Sequence, residues 1–205
     1  MSGLRGRAVV ITRSRSQAGP LAEALLERGG IPVFFPTIDI RPLDDCSALD
    51  RALHGADRYD WIVFTSVNTV NAVWGRLARL GRVELTGSSR IAAVGPATVT
   101  ALAERGISTT TMPAEFRGSA IAATMGQVAG RRVLLPHAAL AREETAASLR
   151  AAGAIVDEVV AYQTLPPAPD GASLAALEGE IDAVTFTSPS TVRNFVTLAG
   201  PGALA

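Results

Sequence analysis

The phrase "DWIVFTSVNTV" at positions 60–70 returns as "DAVTFTSPSTV" at positions 182–192, and this recurrence restricts the fold more than any other feature of the 205-residue chain. Asp60, Phe64, Thr65-Ser66 and Thr69-Val70 match Asp182, Phe186, Thr187-Ser188 and Thr191-Val192 at an offset of 122. A second pair, "GRAVVITR" (6–13) and "GRRVLLPH" (130–137), matches at an offset of 124. Each member is followed by a helical segment that closes in "ERGGIPV" or "AAGAIVD". The chain therefore reads as two copies of one supersecondary unit.

Within the copies, short β-branched runs alternate with Ala/Leu/Arg-rich segments of helical period. "AVVIT" (8–12) precedes 17–28, "WIVFTS" (61–66) precedes 68–80, "RIAAVG" (90–95) precedes 97–105, and "RVLLP" (132–136) precedes 142–151. That order predicts an α/β fold with parallel sheets covered by helices. Gly29-Gly30, Gly106 and Gly153 stand where helix C-caps belong. By the repeat, the segment 90–106 is expected again near position 212, whereas the sequence ends at Ala205. The second copy is read as incomplete, since a whole pair would need roughly 250 residues.

The proline-bounded stretches "PTIDIRP" (36–42) and "AYQTLPP" (161–167) occupy the same phase of each copy and read as interdomain linkers. Two arrangements then stay open. Residues 43–160 form one domain and 1–35 join 168–205 in a discontinuous other, or each repeat folds by itself.

The formal net charge is +0, which argues against nucleic-acid or anionic-membrane binding driven by net charge. All cationic side chains are Arg, so an anion site must use guanidinium groups or backbone N–H donors. A single cysteine, Cys46, leaves no intramolecular disulfide, and the N-terminal "MSGLRGRAVVITR" lacks the apolar region of a signal peptide. No apolar run reaches bilayer-spanning length, and the expected location is cytoplasmic. His54, His137 and Cys46 lie far apart in no metal-ligand spacing, which argues against zinc.

Ligands of open parallel sheets bind beyond the carboxyl ends of strands. The polar breaks lie there: Thr12-Arg13, Thr65-Ser66, Gly95-Pro96-Ala97-Thr98, Pro136-His137 and Thr187-Ser188, each before a helix N-terminus whose free N–H groups favour an anion. Helix capping alone also explains a Ser or Thr in such a place. There is no GxGxxG or Walker loop, and "FTSVN" and "FTSPS" lack the glycines of a nucleophile elbow. His54 reads as solvated, His137 as a surface helix start, and Trp61 and Trp74 as packing residues. Tyr162, in the second linker, joins an apolar ring to a phenolic donor that can reach a cleft.

Taken in order, "TR…Q", "FTSVNTV", "VGPAT", "AYQT" and "TFTSPSTV" resemble the uroporphyrinogen-III synthase family along the whole chain. The resemblance implies two flavodoxin-like α/β domains joined by a two-stranded linker, the first built from both chain ends. It implies a cofactor-free, monomeric enzyme that closes hydroxymethylbilane, a linear tetrapyrrole polycarboxylate, to uroporphyrinogen III with loss of water and inversion of ring D. The substrate is expected in the cleft between the domains, handed over by the preceding enzyme of the pathway.

By the same resemblance Tyr162 assists departure of the hydroxyl, while Thr12, Arg13, Thr65, Ser66, Asn68, Gly95, Thr98, His137, Thr187, Ser188 and Ser190 contact the substrate. The sequence departs from the family pattern in three places. His137 replaces an expected Arg, Asn68 stands where a basic residue is common, and a second "GPxT" turn would fall beyond Ala205. The alternative from another class is a non-catalytic bilobal tetrapyrrole sensor of the same fold; a flavodoxin-like cofactor carrier is disfavoured by the duplication.

Overall fold

The computed structural model describes residues 3–85, 87–140, 143–168 and 171–200. Among these, the strands are β1 (Ala8–Ile11), β2 (Ile31–Phe34), β3 (Asp39–Arg41), β4 (Trp61–Phe64), β5 (Arg90–Ala93), β6 (Arg132–Ala138), β7 (Ile155–Leu165) and β8 (Ala183–Thr185). The α-helices are α1 (Arg15–Glu27), α2 (Ser47–His54), α3 (Val67–Arg79), α4 (Pro96–Ala103), α5 (Ile121–Thr124), α6 (Glu144–Ala151), α7 (Gly171–Ala175) and α8 (Pro189–Ala199). Every strand foreseen from β-branched runs is present. The sequence reading did not name α2, α5 or α7.

The chain divides into two compact units, Met1–Ile40 with Thr164–Ala205, and Arg41–Gln163. Both divisions fall inside strands, β3 and β7, so the proline-bounded stretches carry strand structure at 39–41 and 161–165. In the first unit the sheet order is β2-β1-β8, and in the second sheet it is β3-β7-β6-β4-β5. β1 pairs in parallel with β2 and β8, and the ladders β7-β6, β6-β4 and β4-β5 are parallel as well.

The two copies are exchanged at the level of strand pairing. Val9 faces Ala183 and Val10 faces Val184, while Val133 faces Trp61 and Leu134 faces Ile62. These are the same repeat positions in the same register, with the first half of each copy paired to the second half of the other. Register is a strong constraint because a one-residue slip would turn every buried side chain to the wrong face.

Strand periodicity explains the cores. In the first unit Val9 and Ile11 face Ala18, Ala22 and Leu25 of α1, whereas Val10 points the other way to Phe35 and Phe195. In the second unit every residue of β4 is buried, as for a strand covered on both faces. Trp61 and Val63 there join Ala92, Val133, Leu135, Ile121 and Leu149.

The glycine signals have the geometry their positions require. Gly29 takes φ +74°, and Gly29 and Gly30 donate to Leu26 and Leu25 in a Schellman closure of α1. A Cβ on Gly30 would meet the Leu25 carbonyl oxygen at 3.2 Å and Leu4 Cβ at 3.3 Å, so there is little room for a side chain at the second glycine. Among the described residues no helix is long and apolar enough to cross a membrane.

Candidate functional site

The repeated "FTS" phrase is a helix cap in both copies. Ser66 is extended at φ −160°, ψ 159°, and its Oγ accepts the Thr69 N–H at 3.2 Å. Ser188 is extended at φ −162°, ψ 160°, and its Oγ accepts the Thr191 N–H at 3.3 Å. In α8 the Thr191 hydroxyl also receives the Ser188 N–H at 3.2 Å, completing a capping box. A cap satisfies one of the first turn's donors, and the dipole of α3 or α8 still favours negative charge beside it.

Beside the end of β4, against the last residues of β6 and the middle of β7, lies a cavity of ≈ 220 Å³ lined by Thr65, Ser66, Leu135, His137, Ala138, Thr145, Glu158 and Tyr162. Four residues singled out from the sequence (Thr65, Ser66, His137 and Tyr162) meet there, although they are spread over 98 positions (Thr65 to Tyr162). Thr145, buried in α6, and Glu158 were not foreseen. Glu158 sits in the apolar run "IVDEVV", where a charge interrupting a strand is the one signal available. Its Oε1 lies 2.7 Å from Arg150 Nη2.

His137 is not a helix start. It is half-buried in β6, opposite Val160, because the β6–β7 ladder runs on through Pro136 to Ala138. Proline is tolerated there since β4 pairs with β6 only at Val133 and Leu134, so the missing N–H costs no bond to β4. The register shifts between His137 and Ala138, which brings Ala138 opposite Tyr162, and the Ala139 N–H donates to the Tyr162 carbonyl at 2.9 Å. Such a bulge re-aims the side chains around it. Tyr162 itself is 7 % exposed and belongs to β7.

Other foreseen positions lie apart from this cavity. Thr12 is fully buried, and its hydroxyl donates to the Thr185 carbonyl at 2.6 Å, tying β1 to β8. The Thr12 carbonyl accepts both the N–H and the hydroxyl of Thr37, each at 3.0 Å. Thr98 is buried in α4, behind Gly95, which is the extended N-cap of that helix. Thr12 and Thr98 are thus interior residues, and neither lines this cavity. Arg13, Ser190 and Asn68 are half-buried, and Thr187 is exposed. Ser190 Oγ lies 2.8 Å from Ser188 Oγ.

Electrostatic anchoring occurs at the opposite, amino ends of the strands. Asp60 accepts the Arg132 N–H at 2.9 Å and faces the Arg131 guanidinium at 2.9 Å. Asp182 repeats this with the Ala8 N–H at 2.8 Å and the Arg7 guanidinium at 2.6 Å. In each case the backbone N–H, followed by the guanidinium, holds the carboxyl below its usual range. Tyr59, desolvated and donating to Asp157 at 2.8 Å, is pushed up to about 12. These groups fix strands rather than line the cavity.

Parallel strands ending in capped helix starts, with an imidazole, a phenol and hydroxyls around one cavity, define an α/β protein with a small polar cavity at a helix N-terminus. A family model described as uroporphyrinogen-III synthase HemD matches residues 19–204. The chain belongs to the uroporphyrinogen-III synthase family. It is 35% identical over 199 residues to a uroporphyrinogen-III synthase of Synechococcus elongatus, covering 95% of this chain and 75% of that one. A uroporphyrinogen-III synthase of Chlorobaculum parvum is 28% identical, with 95% and 80% covered. Among solved structures, a mutant uroporphyrinogen III synthase of Thermus thermophilus superposes with TM-score 0.60 at 20% identity, covering 94% of this chain and 76% of that one. That likeness bears on the fold, which is mixed α/β with parallel sheets.

Proposed function

We propose that this chain closes hydroxymethylbilane to uroporphyrinogen III, with loss of water and inversion of ring D. The observation that carries the reading, beside family membership, is the convergence of Tyr162, His137, Thr65 and Ser66 on one cavity beside the end of β4. The cavity is smaller than the ~300–1,000 Å³ of a site that encloses a drug-sized ligand. It therefore suits one part of the tetrapyrrole.

The reaction involves no redox change and no enzyme-bound acyl or glycosyl group, so orientation can supply much of the rate. The hydroxymethyl group loses its hydroxyl to give an azafulvene cation. Ring D attacks through its already substituted carbon, and the resulting spiro intermediate fragments and recloses with the ring reversed. In this reading Tyr162 offers its phenolic O–H to the departing hydroxyl, and the Thr65-Ser66 turn holds a substrate carboxylate against the dipole of α3.

The same proposal takes the two units as flavodoxin-like domains with the β3 and β7 stretches as the connecting strands. It takes the protein as a cytoplasmic monomer that receives its substrate from the preceding enzyme. Incubation with freshly prepared hydroxymethylbilane, followed by chromatographic separation of the oxidised porphyrin isomers, tests the activity. The type III isomer is expected in excess over the spontaneous type I isomer; type I alone would overturn the reading.

A further inference from the structure

Nδ1 of His137 lies 2.7 Å from the carbonyl oxygen of Ala138. A carbonyl only accepts, so Nδ1 carries a hydrogen and is engaged, which leaves Nε2 as the ring nitrogen that can act on a bound molecule. Among the described residues no hydrogen bond reaches Nε2. The ring lines the cavity with two other titratable groups, Glu158 and Tyr162, both from β7. Glu158 is paired with Arg150 of α6 at 2.7 Å, and the Tyr162 phenol is available as a hydrogen-bond donor. Thr65 and Ser66 from the end of β4, and Thr145 from α6, carry no charge. The imidazole is thus the group of this cavity whose ring nitrogen can either give or take a proton and is held by no hydrogen bond of its own among the described residues.

We infer that His137 Nε2 is the proton donor and acceptor of the ring closure, a role that rests on the synthase reading above. As imidazolium, Nε2–H protonates the hydroxyl oxygen of the substrate. The C–O bond breaks with both electrons on oxygen, water departs, and the pyrrole nitrogen lone pair fills the vacancy to form the azafulvene cation. Ring D then supplies a π pair to the methylene carbon. Fragmentation and reclosure of the spiro intermediate break one C–C bond and make another. The proton left on the newly substituted ring carbon passes to neutral Nε2, and its C–H electrons restore the aromatic pyrrole. One water is lost and the imidazolium is regenerated. Tyr162 contributes a hydrogen bond to the departing oxygen without having to part with its proton.

The test compares His137→Asn, whose amide N–H can replace Nδ1–H toward Ala138, with His137→Gln, whose amide reaches the place of Nε2 without exchanging a proton. Type III product is measured as kcat and KM from pH 5 to 8, alongside thermal midpoints. Both variants are expected to keep a wild-type midpoint, to lose at least ~10-fold in kcat, and to lose the pH-dependent limb of kcat, with KM little changed. A rise in KM with kcat and its pH profile intact would overturn the inference and leave the imidazole as a carboxylate contact. Should the Asn variant unfold, the Gln variant is read by the same criteria. Wild-type protein that yields only the type I isomer removes the synthase reading itself. Type III formation unaffected in both variants removes only the role of His137.

Discussion

Asp60 accepts the backbone N–H of Arg132 at 2.9 Å, and 122 residues later Asp182 accepts the N–H of Ala8 at 2.8 Å. The bond is made at the amino end of two parallel strands that no turn connects, and it sets their register before the first ladder pair. In return, the Asp60 and Asp182 N–H groups donate to the Arg132 and Ala8 carbonyls, at 2.9 and 3.0 Å. The acidic residue that opens each repeated phrase is a register pin.

This pin gives the protein a defined acid limb. The Asp60 carboxyl is held below its usual range by the Arg132 N–H and the Arg131 guanidinium, so its ionised form favours the folded state. That contribution is fully present above about pH 4, the ordinary range of an aspartate, and is lost as pH falls through the depressed value. Asp60→Asn should lower the thermal midpoint at pH 7, and the gap to wild type should close as pH falls below about 4. Parallel midpoint curves from pH 7 to 2.5 would show that the pin contributes nothing through its charge.

Tyr162→Phe removes a hydrogen-bond donor while keeping the ring that packs in β7. Substrate binding should be retained and kcat for the type III isomer should fall severalfold, since orientation carries the larger share of the rate. Complete loss of turnover in a variant with an unchanged thermal midpoint would assign the phenol the dominant role.

Substitutions at Ser66 separate capping from substrate contact. Ser66→Ala should cost about 1 kcal/mol of stability and Ser66→Gly only a few tenths, because glycine is tolerated at an N-cap. If the hydroxyl also holds a substrate carboxylate, KM should rise in both variants by a similar factor. Urea titration and steady-state kinetics on the pair decide this. A KM that follows the stability order would leave Ser66 as a cap only.

Phe195 is 1 % exposed and meets Phe35 and Phe186 edge to face, with ring centroids 5.3 and 5.5 Å away. Phe195→Ala should destabilise the protein by about 3–5 kcal/mol through lost burial and the cavity left behind. A loss below about 1 kcal/mol in chemical denaturation would mean that the ring is not part of a packed core.

The predictable positions share a property: their roles are local. The strand runs, the helix that follows each, the caps at Ser66 and Ser188 and the glycine closure at Gly29 all depend on groups within a few residues. Burial is different. Thr12 and Thr65 both end β-branched runs and are alike in sequence, yet Thr12 is sealed against Thr185 and Thr37 while Thr65 borders a cavity. His137 reads as the start of a helix until the ladder to Val160 and Tyr162 is known.

By itself the sequence determined the duplication, the α/β class and the strand ends where polar groups gather, because periodicity and capping are written in neighbouring residues. Only the tertiary structure decided that β1 pairs with β8 and β6 with β4, exchanging halves of the two copies. Pairings between residues more than 70 positions apart, such as Ile62 with Leu134, depend on which buried faces fit together, and no local signal encodes them. The β6–β7 ladder set the His137 imidazole and the Tyr162 phenol on adjacent strands, and the pairing of β6 with β4 brought the Thr65-Ser66 turn to the same cavity.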